Sequence, residues 1–128
     1  MRFLLDTHAF LWFIGGDSRL SPVAKQLITN IDNEICLSIV SLWEIALKVS
    51  LQKLTLQQPF ETLIPTQLAA NEIEIIPIDM DTLTQLITLP FHHRDPFDRL
   101  LIAQAITKKL PLISKDAAFA SYPVELIW

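Results

Sequence analysis

The sequence predicts an α/β fold: a parallel sheet covered by helices on both faces. Short apolar runs such as RFLL (Arg2–Leu5) and EICLS (Glu34–Ser38) alternate along the chain with segments of helical periodicity. Those runs are near-continuously apolar, as in strands buried on both faces, and do not alternate polar with apolar. The composition agrees: 51% of residues are hydrophobic and only 19% are charged. The 128 residues are read as one domain, 1–128, long enough to bury a core.

The first strand, Arg2–Leu5, ends at Asp6, and Thr7–Phe13 follows as a short helix stopped by Gly15 and Gly16. Ser21 and Pro22 start a helix over Val23–Ile31. After the strand Glu34–Ser38 comes a helix started by Ser41, with Leu42, Ile45, Ala46 and Val49 as its core stripe. Glu44 and Lys48 lie four residues apart on another face of it. Pro59 begins a helix from Phe60 to about Asn71, and Glu72–Ile78 is a third strand whose Pro77 marks its end or a sheet edge. Asp79 caps a helix over Met80–Thr88. Asp95 and Pro96 open another that runs to Lys109. A strand at Leu112–Ile113, a short helix at Ala117–Ala120 and a last strand within Val124–Trp128 complete the chain. No internal repeat, linker or low-complexity stretch interrupts it.

The helix after Asp95 is apolar almost all round, yet Asp98 shares a face with Ile102, Ala105 and Ile106. A carboxylate at the head of an inward face is costly unless it is paired, hydrogen-bonded or metal-bound. In open parallel sheets ligands bind at the carboxyl ends of the strands, near a topological switch point. Asp6 follows the first strand, Glu44 lies one turn into the helix after the second, Asp98 heads the helix before the fourth and Asp116 follows the fourth. Each has an ordinary reading by itself: a turn residue for Asp6, a Lys48 partner for Glu44, helix caps for Asp95, Asp98 and Asp116. Together they make a cleft of carboxylates that cannot all ionise without a cation. Oxygen donors with no cysteine among them favour Mg²⁺ or Mn²⁺, ions that activate water and clamp phosphoryl oxygens. Lys48, Arg94, Arg99 and Lys115 stand beside these acids, either to neutralise them or to contact phosphates.

The net charge of −4 excludes a protein that wraps nucleic acid in a general basic field, but not a metal-dependent enzyme acting on phosphates. Cys36 is the only cysteine, so no disulfide forms within the chain, consistent with a reducing compartment. The apolar N-terminus is interrupted by Asp6 and His8 and is read as part of the fold, not as a signal peptide. The longest apolar stretch, near Ile35 to Leu51, contains Glu44 and Lys48 and falls short of a membrane span. A cytoplasmic location is expected, with no membrane association.

Four segments then carry a family resemblance: DTH at Asp6–His8, SIVSLWEIALK at Ser38–Lys48, HHRDPFDRLLIAQA at His92–Ala105, and LISKDAAFASYPVELIW at Leu112–Trp128. In this order and at these spacings the chain resembles the PIN-domain ribonucleases, and among them the VapC-type toxins of bacterial type II toxin–antitoxin pairs. The resemblance implies a PIN-like three-layer α/β/α fold with a central parallel sheet of about five strands. It implies Mg²⁺- or Mn²⁺-dependent RNA cleavage, a homodimer, and inhibition by a VapB-type antitoxin through which alone DNA would be contacted. Asp6, Glu44 and Asp98 match the family's principal acidic ligands, and Asp116 matches the more variable fourth. Thr7 or Ser114 matches the small supporting hydroxyl. Ser114 stands where threonine is common, and Gln52 stands where glycine often precedes the Lys53-Leu54 pair, which puts the turn after the Glu44 helix in question.

On this reading the four acids hold one or two ions, partly through water, and a metal-activated water attacks the phosphorus in line. Arg99 or Lys48 assists, and the resemblance implies a 5′-phosphate product. His92 and His93 are either exposed loop residues or groups that contact RNA or donate a proton. Two other classes compete: a PIN-like module that only binds partners, and a phosphotransfer domain with Asp6 as nucleophile. The second lacks the further acid two residues on, where His8 stands, or the acidic pair a receiver domain needs.

Overall fold

The computed structural model describes residues 1–128. Five strands, β1 (Arg2–Leu5), β2 (Glu34–Ser38), β3 (Ile73–Ile76), β4 (Leu112–Ile113) and β5 (Leu126–Ile127), form one sheet in the order β3-β2-β1-β4-β5. Every pairing is parallel. The helices are α1 (Thr7–Gly15), α2 (Pro22–Thr29), α3 (Ile39–Ser50), α4 (Phe60–Ala70), α5 (Met80–Thr88) and α6 (Pro96–Lys108), with a 3₁₀ turn at Ala117–Ser121. The strands alternate their side chains between two apolar layers, as the pleat requires. Phe3, Leu5, Ile35, Leu37 and Ile113 face a core shared with Phe10, Ala24, Ile45 and Ile64. Leu4, Cys36 and Leu112 face the other, with Leu101, Ile102, Ala105 and Phe119. The three-layer α/β/α arrangement expected from the sequence is the arrangement present.

The direction in which strands are added reverses at β1. The path runs outward through β2 to the edge strand β3, then returns to β4 on β1's other side. The crevice between the carboxyl ends of β1 and β4 is therefore the topological switch point.

Several boundaries differ from expectation for identifiable reasons. Helix α3 starts at Ile39, because the Ser38 hydroxyl accepts the Val40 N–H at 3.1 Å. Ser41 is instead buried inside the helix and accepts the Thr7 hydroxyl at 2.9 Å. Along α3, Glu44 lies on the buried side with Ile45, whereas Ala46 faces solvent, so the expected stripe is rotated. Strand β3 ends before Pro77, and the proline carbonyl accepts from Gln104 Nε2. Gln52 keeps the turn that glycine would serve: its φ is +57°, at a strain cost of about 1 kcal/mol or more for a side-chain-bearing residue.

Candidate active site

Local capping chemistry puts the acids at the switch point. Asp6 ends β1 and caps α1: its Oδ1 accepts the Ala9 N–H at 2.6 Å, and its Oδ2 accepts the Ser114 hydroxyl at 2.5 Å. Ser114 follows β4 and ties the two central strands together beyond their ladder, where the Asp6 N–H meets the Ile113 carbonyl. Asp116 caps the 3₁₀ turn through Ala118 N–H. Asp95 caps α6, its Oδ1 accepting from Phe97 and Asp98 N–H groups, as expected from Asp-Pro. Asp98, one turn further in, caps nothing, which leaves its carboxylate turned toward the other acids. Glu44 is only 4% exposed and is met by Lys48 Nζ at 2.7 Å.

The electrostatics show the convergence. The Asp98 carboxyl is pushed up to about 7, first by burial and then by repulsion from Asp95, Glu44, Asp116 and Asp6. Four acids from four segments thus act on one carboxylate. Burial also raises Asp6, opposed by its Ser114 and Ala9 hydrogen bonds. Lys48 is the only lysine or arginine paired with any of these acids. A crowded set of oxygen donors with so little cationic compensation is of the kind that could hold a hard divalent ion, and His93, Asp98 and Asp116 bring their ligand atoms within 4.8 Å of one another.

Other candidates behave differently. Ser114 bonds a site acid directly, whereas the Thr7 hydroxyl donates to Ser41 and not to an acid. Arg99 does not reach the acids, which corrects the expectation that it assists at the phosphate. Its guanidinium is buried and donates to the Pro90 carbonyl at 2.8 Å and the Leu89 carbonyl at 3.1 Å, with Phe91 stacked 3.8 Å away. Arg94 is exposed.

Sequence reasoning left His93 undecided, and the structure brings it into the acid cluster. Its Nε2 lies 3.1 Å from Asp98 Oδ2 and 3.8 Å from Asp116 Oδ2. The available signal was its position just ahead of the Asp95 cap, on the chain's approach to α6. Tyr122 was missed altogether. Its hydroxyl accepts the His93 N–H at 2.8 Å and donates to the Pro90 carbonyl at 2.9 Å.

A cavity of about 390 Å³ opens over Asp6, His8, Trp12, Lys115 and Asp116. A larger groove, about 500 Å³, lies beside the acids instead of over them. Thr7, His8, Trp12, Lys48 and Lys53 help line it. The acids mark the candidate site, because like charge crowds there, whereas the groove mixes apolar residues with Lys48 and Lys53.

Comparisons with known proteins bear on the fold and the family. The chain is 29% identical over 120 residues to Ribonuclease VapC22 of Mycobacterium tuberculosis, covering 93% of this chain and 90% of that protein. Among solved structures it resembles VapBC2 from Rickettsia felis, solved bound to a promoter DNA fragment, with 19% identity, a TM-score of 0.73 and coverage of 99% and 98% of the two chains. It also resembles VapBC-5 of M. tuberculosis, a toxin–antitoxin family member, with 22% identity, a TM-score of 0.63 and coverage of 98% and 97%. At these identities the structural matches establish the fold. The PIN domain family model matches residues 3–125, nearly the whole chain, and the chain belongs to the PIN-domain family.

Proposed function

We propose that this protein is a Mg²⁺- or Mn²⁺-dependent endoribonuclease, the toxin of a toxin–antitoxin pair. The observation that carries the reading is the convergence of Asp6, Glu44, Asp95 and Asp116 on Asp98, whose carboxyl they and its burial raise to about 7. Similarity to a protein named as a ribonuclease supports RNA as the substrate.

Asp6, Glu44, Asp98 and Asp116 would hold the ion. When bound, it supplies an acidified water and positive charge for the phosphoryl oxygens. The chain's own residues prepare the site. Ser114 and the Ala9 N–H orient the Asp6 carboxylate. Lys48 holds Glu44 in one rotamer and offsets its charge where water is excluded. Asp95 anchors the first turn of α6, which fixes Asp98. Lys115, 6.0 Å from the Trp12 ring at the cavity rim, is placed to meet a backbone phosphate.

The partners follow the same reading. The groove beside the acids, with Leu11, Trp12 and Ile14 in its wall, suits an apolar antitoxin helix. The toxin would reach DNA only through that antitoxin. Exposed Trp43 and Leu47 on α3 and Leu83 and Ile87 on α5, helices that both pack on α6, support a homodimer.

The test is cleavage of a panel of tRNA, rRNA and mRNA by the purified chain with Mg²⁺, Mn²⁺ or EDTA, alongside Asp98→Asn. Metal-dependent cleavage that disappears in the variant is the expected result. Wild-type rates in Asp98→Asn would overturn the site. No cleavage and no metal-induced shift in melting temperature would favour a module that only binds.

A further inference from the structure

Helix α1 begins directly after Asp6, and His8 and Trp12 stand four residues apart on it, neighbours on one face. Their ring centroids are 5.8 Å apart. Trp12 is held in place: it packs against the first apolar core, and Trp128 meets it at 5.8 Å and 64°. His8 is exposed and Trp12 is half-buried, so both keep ring surface open to solvent. The two rings line both the cavity over Asp6 and Asp116 and the larger groove beside it, and so form the wall that the two spaces share.

The charges around this wall are opposite in sign to those of the acids. The chain carries 10 lysines and arginines against 14 acids. Four of the basic residues, Arg19, Lys48, Lys53 and Lys115, line the two spaces. Lys48 answers Glu44 and Arg19 answers Asp17, but Lys53 and Lys115 pair with no acid. Arg19 and Lys115 also approach the Trp12 ring, at 5.2 Å and 6.0 Å from its centroid. Both are exposed, so an incoming group can displace them. An aromatic wall beside an unpaired cation suits a nucleotide, whose base has a π-face and whose phosphate is an anion. An apolar helix laid in the larger groove would not use Lys115, which lines only the cavity over the acids. That cavity, about 390 Å³, is of the size that takes one small ligand.

We propose that His8, Trp12 and Lys115 form a subsite for one unpaired nucleotide of the RNA substrate. Its base stacks against the two rings and its phosphate meets Lys115, which leaves the neighbouring phosphodiester over Asp6 and Asp116. This rests on the reading of the chain as a ribonuclease. The subsite selects for an unpaired base and not for a particular base, because every base has a π-face and a paired one keeps its faces inside the duplex.

The test is fluorescence anisotropy of a dye-labelled single-stranded oligo(A) RNA, with EDTA present so that no bond is cut. An abasic oligomer of equal length supplies the phosphates without the bases. The wild-type protein should bind oligo(A) about tenfold more tightly than the abasic oligomer, the scale of one stacked base. Trp12→Leu should abolish that gap, and Trp12→Phe should keep most of it. Lys115→Ala should weaken both oligomers by the same factor and lower the slope of log affinity against log salt by about 0.7, one phosphate contact on a single strand. Circular dichroism checks that each variant folds, and the comparison of the two oligomers on the wild-type protein needs no variant at all. Equal wild-type affinity for both oligomers overturns the subsite. So does an undiminished gap in folded Trp12→Leu, which would leave Trp12 to the adjoining groove alone. In either case metal-dependent cleavage of the RNA panel by the wild-type protein would keep the ribonuclease reading. No binding of either oligomer, together with no cleavage of the panel, overturns both.

Discussion

The two edges of the sheet carry acids in the same way and treat them oppositely. At the amino-terminal edge, Arg2 of β1 spans Glu34 of β2 at 3.1 Å and Glu74 of β3 at 2.9 Å. One exposed cation answers two exposed acids, and the arginine is held above its ordinary value chiefly by the Glu74 hydrogen bond. At the carboxyl-terminal edge, Asp6, Glu44, Asp95, Asp98 and Asp116 crowd together in partial burial, with Lys48 on Glu44 as the paired basic side chain. The nearest arginine in sequence, Arg99, turns its charge to loop carbonyls instead. A fold able to place an arginine across two acids at one edge leaves the other edge short of positive charge. That deficit, more than the number of acids, supports the reading of a cation site.

The contrast can be broken most severely at Asp6. Asp6→Asn should keep the fold, since the amide oxygen still caps α1. It should lower metal-dependent RNA cleavage by roughly a hundredfold or more, the scale of removing a charge-stabilising group from a reacting centre. Cleavage assays beside circular dichroism separate the two effects, and an active Asp6→Asn would end the argument for this edge. Next comes Arg99→Met, which strands the Leu89 carbonyl and leaves that of Pro90 to Tyr122 alone, and should cost about 1–3 kcal/mol in urea unfolding. An unchanged midpoint would mean the clamp contributes nothing.

The unequal charge balance also sets a pH dependence. Asp98 has its folded pKa raised to about 7, above the ordinary carboxylate value of 3.8. The folded state therefore binds more protons between these limits. This contribution to stability is fully present below about pH 4 and is lost as pH rises toward 7. Asp6, also raised, has the same sign. Thermal midpoints of the metal-free protein should fall over this range, and Mn²⁺ at neutral pH should restore them. A midpoint indifferent to Mn²⁺ would count against the site. The smallest effect belongs to the balanced edge. Arg2→Ala should change stability by about 0–1 kcal/mol and lose even that in high salt, as exposed ion pairs do.

Much of this was legible in the chain. Apolar runs at Arg2–Leu5 and Glu34–Ser38 announce buried parallel strands, and Asp95-Pro96 announces a helix start, because both depend on neighbours in sequence. Asp6, Glu44 and Asp116 could be listed with Asp98 because three follow strands and the fourth heads a helix, ends that a parallel sheet brings to one side. Lys48 pairing with Glu44 needed only helical spacing. The burial of Glu44, the Thr7–Ser41 contact and the positive φ of Gln52 were not legible, since each reflects how α3 is rotated and ended by its packing.

The sequence by itself determined the element order, the caps at Ser21, Asp79 and Asp95, and the candidate acids, through local sterics and periodicity. Tertiary structure decided which cations are kept away from those acids. Arg99 lies next to Asp98 in sequence, but a helix points adjacent side chains about 100° apart, so Arg99 faces the loop and Asp98 the cleft. His93 joins the cluster only because Tyr122 and Arg99 fold its loop back over the switch point. Which charges are left uncompensated depends on contacts between distant segments, and no local pattern encodes that.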